Sequence, residues 1–172
     1  MTARRIHITQ GERAACDRPD TVITTILGSC VSCCLWDPVA GVGGMNHMLL
    51  TVSTSGAGMC NLAGLNAMEL LINDILKLGA RRERLHAKAF GGACMVSGLS
   101  EIGRNNSAFT LDFLSKEGIV CDGHSLGGAT SRHVQFWPAT GRVRMKASRE
   151  APREVPAEIQ ARATVGNGLE LF

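Results

Sequence analysis

Thr21-Val22-Ile23-Thr24-Thr25-Ile26-Leu27-Gly28-Ser29-Cys30-Val31-Ser32-Cys33-Cys34-Leu35-Trp36-Asp37-Pro38 is the stretch on which the fold turns. Residues 21–27 are rich in β-branched side chains and read as a strand. Gly28-Ser29 breaks it. Residues 30–36 form a short apolar run, and periodicity does not decide between a buried strand and a short helix. Asp37-Pro38 then turns the chain. Outward from this core, residues 5–9 alternate apolar and polar as a short first strand, and residues 14–19 read as loop. Residues 42–50 are an apolar, glycine-interrupted strand holding His47, and 51–58 are small and polar, a surface loop.

Leu65, Met68, Leu71, Ile72 and Ile75 recur at helical spacing, with Asn66, Glu69, Asn73 and Lys77 on other faces and Gly79 as a stop. Residues 85–90 predict a strand running into Gly91-Gly92. Asn105 or Asn106 is expected to cap a second helix, with Phe109, Phe113 and Leu114 inward and Gly118 at its end. Residues 119–121, 133–137 and 142–146 read as strands, the last two joined as a hairpin by Ala139-Thr140-Gly141. This is not strict βαβ alternation. It predicts a single-domain α+β fold, an α/β sandwich with mixed or antiparallel sheet and two main helices. The domain is expected over 1–147, with a partly ordered tail over 148–172.

The chain has 172 residues, enough to bury one core. The net charge of +3 is weak, and aromatic content is only 4% with no Tyr, so stacking platforms for nucleic acid are not expected. Arg81-Arg82-Glu83-Arg84 is the densest basic run and reads as a solvated turn. Seven cysteines, an odd number, and a basic N-terminus with no apolar region behind it point to free thiols in a reducing cytoplasm. No run of eighteen apolar residues occurs, so membrane insertion is not expected.

Cys30 follows a Gly-Ser turn, and Gly43-Gly44-Met45-Asn46-His47 lies one strand away. A thiol and an imidazole in such a pairing can form an activated nucleophile. The alternative for His47 is a core histidine satisfied by a carbonyl. If the extended conformation persists through the break, Thr24, Ile26, Gly28 and Cys30 share a face, with Thr25 on the other. Parity therefore selects Thr24 to orient His47. Gly28 lets a substrate approach, and backbone N–H groups around Ser29, Cys30 and Val31 are oxyanion-hole candidates. His7, His86, His124 and His133 have no comparable surroundings. Cys30-Val31-Ser32-Cys33 is a C-x-x-C without a thioredoxin context or a second ligand pair, and Cys60, Cys94 and Cys121 are scattered. No metal or cofactor is expected.

Leu27-Gly28-Ser29-Cys30-Val31, Trp36-Asp37-Pro38, Gly43-Gly44-Met45-Asn46-His47, Lys88-Ala89-Phe90-Gly91-Gly92-Ala93 and Ile102-Gly103-Arg104-Asn105-Asn106 occur in that order. Leu126-Gly127-Gly128, Arg132 and Thr140-Gly141 continue the series. Together they closely resemble the chemoreceptor glutamine deamidases of the CheD family over residues 3–147. The resemblance implies an α/β sandwich that hydrolyses glutamine side chains of methyl-accepting chemotaxis receptors to glutamate and ammonia without a cofactor. It puts the family's catalytic cysteine, histidine and threonine on Cys30, His47 and Thr24. It also implies, for some relatives, binding to a CheC-like phosphatase. Thr51 and Val96 depart from the family's proline and aromatic. A transglutaminase, a thiol protease or a non-enzymatic binding regulator are the competing expectations.

Overall fold

The computed structural model describes residues 3–50, 57–97 and 100–149, and for 57–61 the backbone alone. Its strands are β1 (Arg4–His7), β2 (Arg13–Cys16), β3 (Thr21–Leu27), β4 (Val31–Asp37), β5 (Val42–Asn46), β6 (His86–Gly91), β7 (Val120–Leu126), β8 (Ser131–Trp137) and β9 (Arg142–Ser148). The helices are α1 (Ala57–Lys77) and α2 (Ser100–Lys116). A four-stranded sheet runs β1-β3-β8-β9 and a five-stranded sheet runs β2-β5-β4-β6-β7. Both are mixed, since β1–β3 and β6–β7 pair in parallel and the other neighbours antiparallel. The expected α+β sandwich is the fold observed.

The layers follow from side-chain alternation. Ile23, Leu27, Val134 and Phe136 of the first sheet meet Cys34, Trp36, Met45 and Phe90 of the second. On the other side of the second sheet, Val31, Cys33, Leu35 and Ala87 meet Met68, Leu71, Ile72 and Ile75 of α1 and Phe113 and Leu114 of α2. The segment left undecided between strand and helix is β4. It is buried on both faces, so it carries no apolar–polar alternation to read.

Four other expectations change. Residues 14–16, at the start of the loop expected over 14–19, belong instead to edge strand β2; its pairing with β5 imposes the extended form on a sequence of low β-propensity. Leu65 is 41% exposed rather than inward. α2 begins at Ser100, so neither Asn105 nor Asn106 caps it, and Asn106 lies buried in mid-helix. The basic run is less solvated than expected. Arg82 reaches Glu69 and Glu117, both at 2.7 Å, and Arg84 donates to the fully buried Asp37 at 2.7 Å. Burial by itself would raise the Asp37 carboxyl, but Arg84 and the amides of Arg81, Ala40 and Val39 outweigh it and hold the pKa at about 2. The expected loop over 51–56 and all but the start of the expected tail, 150–172, lie outside the described residues.

Candidate active site

β3 leaves the first sheet at Leu27 and β4 enters the second at Val31, so Gly28-Ser29-Cys30 is the crossing between layers. Its three carbonyls are all held. Gly28 O accepts from Ala93 N at 2.9 Å, Ser29 O from Asn106 Nδ2 at 2.9 Å, and Cys30 O from Gly92 N at 2.8 Å. The grip requires close approach. Gly91 sits at φ 115, and a Cβ there would run into the Cys30 carbonyl. A Cβ on Gly103 would stand 2.6 Å from the Gly92 carbonyl oxygen, so glycine lets α2 lie against this loop.

With those carbonyls engaged, the amides of Ser29 and Cys30 donate to no other described residue. Both remain oxyanion-hole candidates. Val31 does not, because its N–H donates to Met48 O at 3.0 Å as part of the sheet.

The register brings His47 to the same place. Cys34 pairs with Met45 and Val31 bridges Met48, so Ser32 stands opposite His47 and Cys30 is its diagonal neighbour. Diagonal positions on one face of an antiparallel pair are within reach of long side chains. Cys33, one residue out of phase, packs on the helix side of the sheet, so the C-x-x-C thiols diverge.

The His47 ring is fixed by the first sheet. Its Nδ1 lies 2.8 Å from Thr25 Oγ1, and Thr25 Oγ1 donates to Ile8 O, also at 2.8 Å. A hydroxyl has one proton, and here the Ile8 carbonyl takes it. Thr25 Oγ1 must therefore accept from Nδ1–H. That assigns the proton to Nδ1 and leaves Nε2 as the basic nitrogen.

The threonine at His47 is thus Thr25 and not Thr24. Thr24 Oγ1 meets His7 Nδ1 at 3.1 Å and sits in a row with His7 and Gln135, on the outward face of the first sheet. Parity holds within β3, where Ile23, Thr25 and Leu27 look inward. It does not carry through Gly28-Ser29-Cys30, because there the chain changes sheets and the inward direction reverses.

Burial governs both reactive groups. It lowers the His47 pKa to about 4, helped by the neighbouring His7 charge and opposed by Glu12. It raises the Cys30 thiol to about 11, opposed by its own backbone N–H. The resting pair is neutral thiol and neutral imidazole. Cys30 stays partly exposed, while Cys33 and Cys34 are fully buried with thiols pushed higher still. A depression of about 220 Å³ beside His47 is lined by Glu12, Asn46, Leu50, Asn66 and Leu70 among others.

Asn106 is the site residue that the helix-cap reading misplaced. Besides holding Ser29 O, its Oδ1 accepts from Leu50 N at 2.9 Å. One side chain ties the Gly28-Ser29-Cys30 turn to the segment that follows His47. Its spacing carried the signal, since position 106 falls on the inward stripe with Phe109 and Phe113. Asn106→Ala strands one buried and one half-buried backbone group, and denaturation should register a loss of about 2 kcal/mol. Asn106→Asp, which keeps the Leu50 acceptor and loses the Ser29 donor, should still lower turnover of the folded protein. Unchanged turnover in that variant would remove Asn106 from the site.

Among the described residues no group of three His, Cys, Asp or Glu side chains could hold a metal ion. A family model described as CheD chemotactic sensory transduction matches residues 52–147. The protein named probable chemoreceptor glutamine deamidase CheD from Acidiphilium cryptum is 55% identical over 146 residues, covering 83% of this chain and 77% of that one. Its namesake from Caulobacter vibrioides is 48% identical over 176 residues, covering 99% and 94%, so the similarity includes the segment with Cys30 and His47. Among solved structures, the hypothetical protein YfiH of Bacillus licheniformis aligns with a TM-score of 0.44 at 15% identity, over 72% of this chain and 60% of that one.

Proposed function

The chain belongs to the CheD family of chemoreceptor glutamine deamidases, and from that premise we propose that Cys30 is the nucleophile, His47 the acid and base, and Thr25 the group that orients His47. The reaction converts receptor glutamine side chains to glutamate during chemotaxis. The observation that carries the assignment is the chain His47 Nδ1–Thr25 Oγ1–Ile8 O, with no described residue bonded to Nε2 and Cys30 diagonal to His47 by register.

His47 Nε2 takes the thiol proton as Cys30 Sγ attacks the carboxamide carbon. The amides of Ser29 and Cys30 receive the developing oxyanion. The tetrahedral intermediate collapses as His47 returns the proton to the leaving nitrogen, releasing ammonia and leaving a thioester. His47 then removes a proton from water, which attacks the thioester carbonyl, and the same proton returns to sulfur. The products are a glutamate side chain and the starting enzyme. The six described cysteines are free thiols, which fits work in a reducing cytoplasm. No described helix is long and apolar enough to cross a membrane.

Intact-mass analysis of a receptor cytoplasmic fragment tests the reaction. Deamidation exchanges NH2 for OH, a gain of about one dalton with one ammonia released and neither cleavage nor cross-linking. Cleaved or cross-linked product would replace this reading with a protease or transglutaminase. A CheC-like phosphatase is a further partner in this proposal, and normal chemotaxis restored by Cys30→Ala would make binding the principal role.

The two threonines give a sharper test. Thr25→Val should lower kcat by about 10²-fold through loss of the imidazole's orientation, with Thr25→Ser restoring most of it. Thr24→Val should stay within about threefold of the parent, because the Thr24 hydroxyl contacts His7 and not His47, and its backbone bond to Ile8 is kept. The opposite ranking would return the orienting role to Thr24.

A further inference from the structure

The first sheet has a second face, turned away from the site and covered by no described helix. Register places its outward side chains in rows. His7, Thr24, Gln135 and Arg144 form one, and Ile26, His133 and Lys146 the next. Arg5 stands beside Val22, and Arg142 beside Trp137. The four strands contain no Asp or Glu at all. Arg5, Arg142, Arg144 and Lys146 are exposed, as are His7 and His133. None of the four Arg and Lys side chains is ion-paired with a described residue.

The chain as a whole carries 18 basic and 15 acidic residues, so this one-signed face is segregation and not a general excess. On the edge strand β9, Arg142, Arg144 and Lys146 follow at every second residue and repel one another. Packing does not require them, since the inward positions of these strands make the core. His133, Gln135, Arg144, Met145 and Lys146 line a shallow depression within the face.

We propose that this outward face docks an acidic polypeptide, the carboxylate-bearing region of the receptor substrate. The identity of the partner rests on the deamidase reading above. The chemistry supplies the complementarity: each turnover replaces a neutral amide with a carboxylate, so a substrate with several sites gains one negative charge at a time. A basic face holds such a substrate more firmly as modification proceeds. Thr24 and Thr25 are neighbours pointing to opposite sides of the sheet, so the docked segment is a different one from that entering the site. A protein fits the face better than nucleic acid, because its one large aromatic, Trp137, is already covered by the Arg142 guanidinium at 3.9 Å. It fits better than a membrane, because only Ile26, 46% exposed, and Met145, 37% exposed, stand out of it as large apolar side chains among the described residues, too few for an apolar insertion surface.

The test compares two receptor cytoplasmic fragments, one with glutamine and one with glutamate at the modification sites, for binding to the parent and to the triple variant R142E/R144E/K146E. A short glutamine peptide, too small to reach the face, is turned over in parallel. The parent should bind the glutamate fragment more tightly, and added salt should erase the preference. The triple variant should bind that fragment about tenfold more weakly with peptide turnover unchanged. Equal binding by parent and variant overturns the proposal. So does variant-sensitive binding of phosphatidylserine vesicles or duplex DNA without that of the fragment. Should the triple variant lose peptide turnover through misfolding, Arg144→Glu and Lys146→Glu singly carry the same comparison. If the parent turns over no peptide, the deamidase reading fails while the binding comparison still stands.

Discussion

Cys30→Ala is expected to abolish ammonia release from a receptor fragment, a fall of at least about 10⁴-fold, while leaving the fold in place. The loss is large because the other groups act through the thiol. Without sulfur, His47 has no nucleophile to deprotonate, and the Ser29 and Cys30 amides have no tetrahedral oxygen to hold. Stability should change little. Cys30 is partly exposed, and the turn is held by its backbone carbonyls, which alanine retains. Circular dichroism and a denaturation midpoint separate lost chemistry from lost fold. Activity within tenfold of the parent would exclude Cys30 as nucleophile.

His47→Gln should cost about 10³-fold or more in kcat, since both proton transfers lose their carrier. The parent's pH behaviour identifies the same group. With His47 held at about 4, the acid limb of kcat/KM should lie near that value and not at the ordinary 6.5 of histidine. Stability follows with a definite sign. Between about 6.5 and 4 the unfolded chain binds a proton at this position and the folded chain does not. Folding stability therefore rises with pH across that window, and the penalty is absent above it and complete below it. From the shift to about 4, this one group destabilises the folded protein by about 3 kcal/mol at the acid end. His47→Gln removes that titration, so its denaturation midpoint should fall less between pH 7 and pH 4 than the parent's. Equal falls would mean that His47 titrates normally.

Much of this architecture can be read from the residues. β3 declares itself through β-branched side chains, and the buried stripe of α1 through Met68, Leu71, Ile72 and Ile75. Ala139-Thr140-Gly141 marks the hairpin between β8 and β9. Cys30 and His47 stand out because a thiol after a tight turn and an imidazole one strand on have an evident joint use. What escapes depends on the third dimension. β4 is buried on both faces, β2 is a strand only because β5 is beside it, and Asn106 resembles a cap until its two partners are seen. Thr25 escapes for a further reason. Parity reads faces within one sheet, and the decisive residues lie on either side of a crossing between two.

That crossing also determines when the thiol becomes dangerous. Thr25 and Ile8 reach His47 from the first sheet's side, while Cys30 and the imidazole ride on the second. Before the sheets close on each other, the ring has no fixed tautomer and the sulfur no dedicated base. A newly made chain therefore carries an ordinary, mostly protonated cysteine past every other protein it meets. Closure of the sandwich is what supplies the half-buried sulfur with an oriented imidazole.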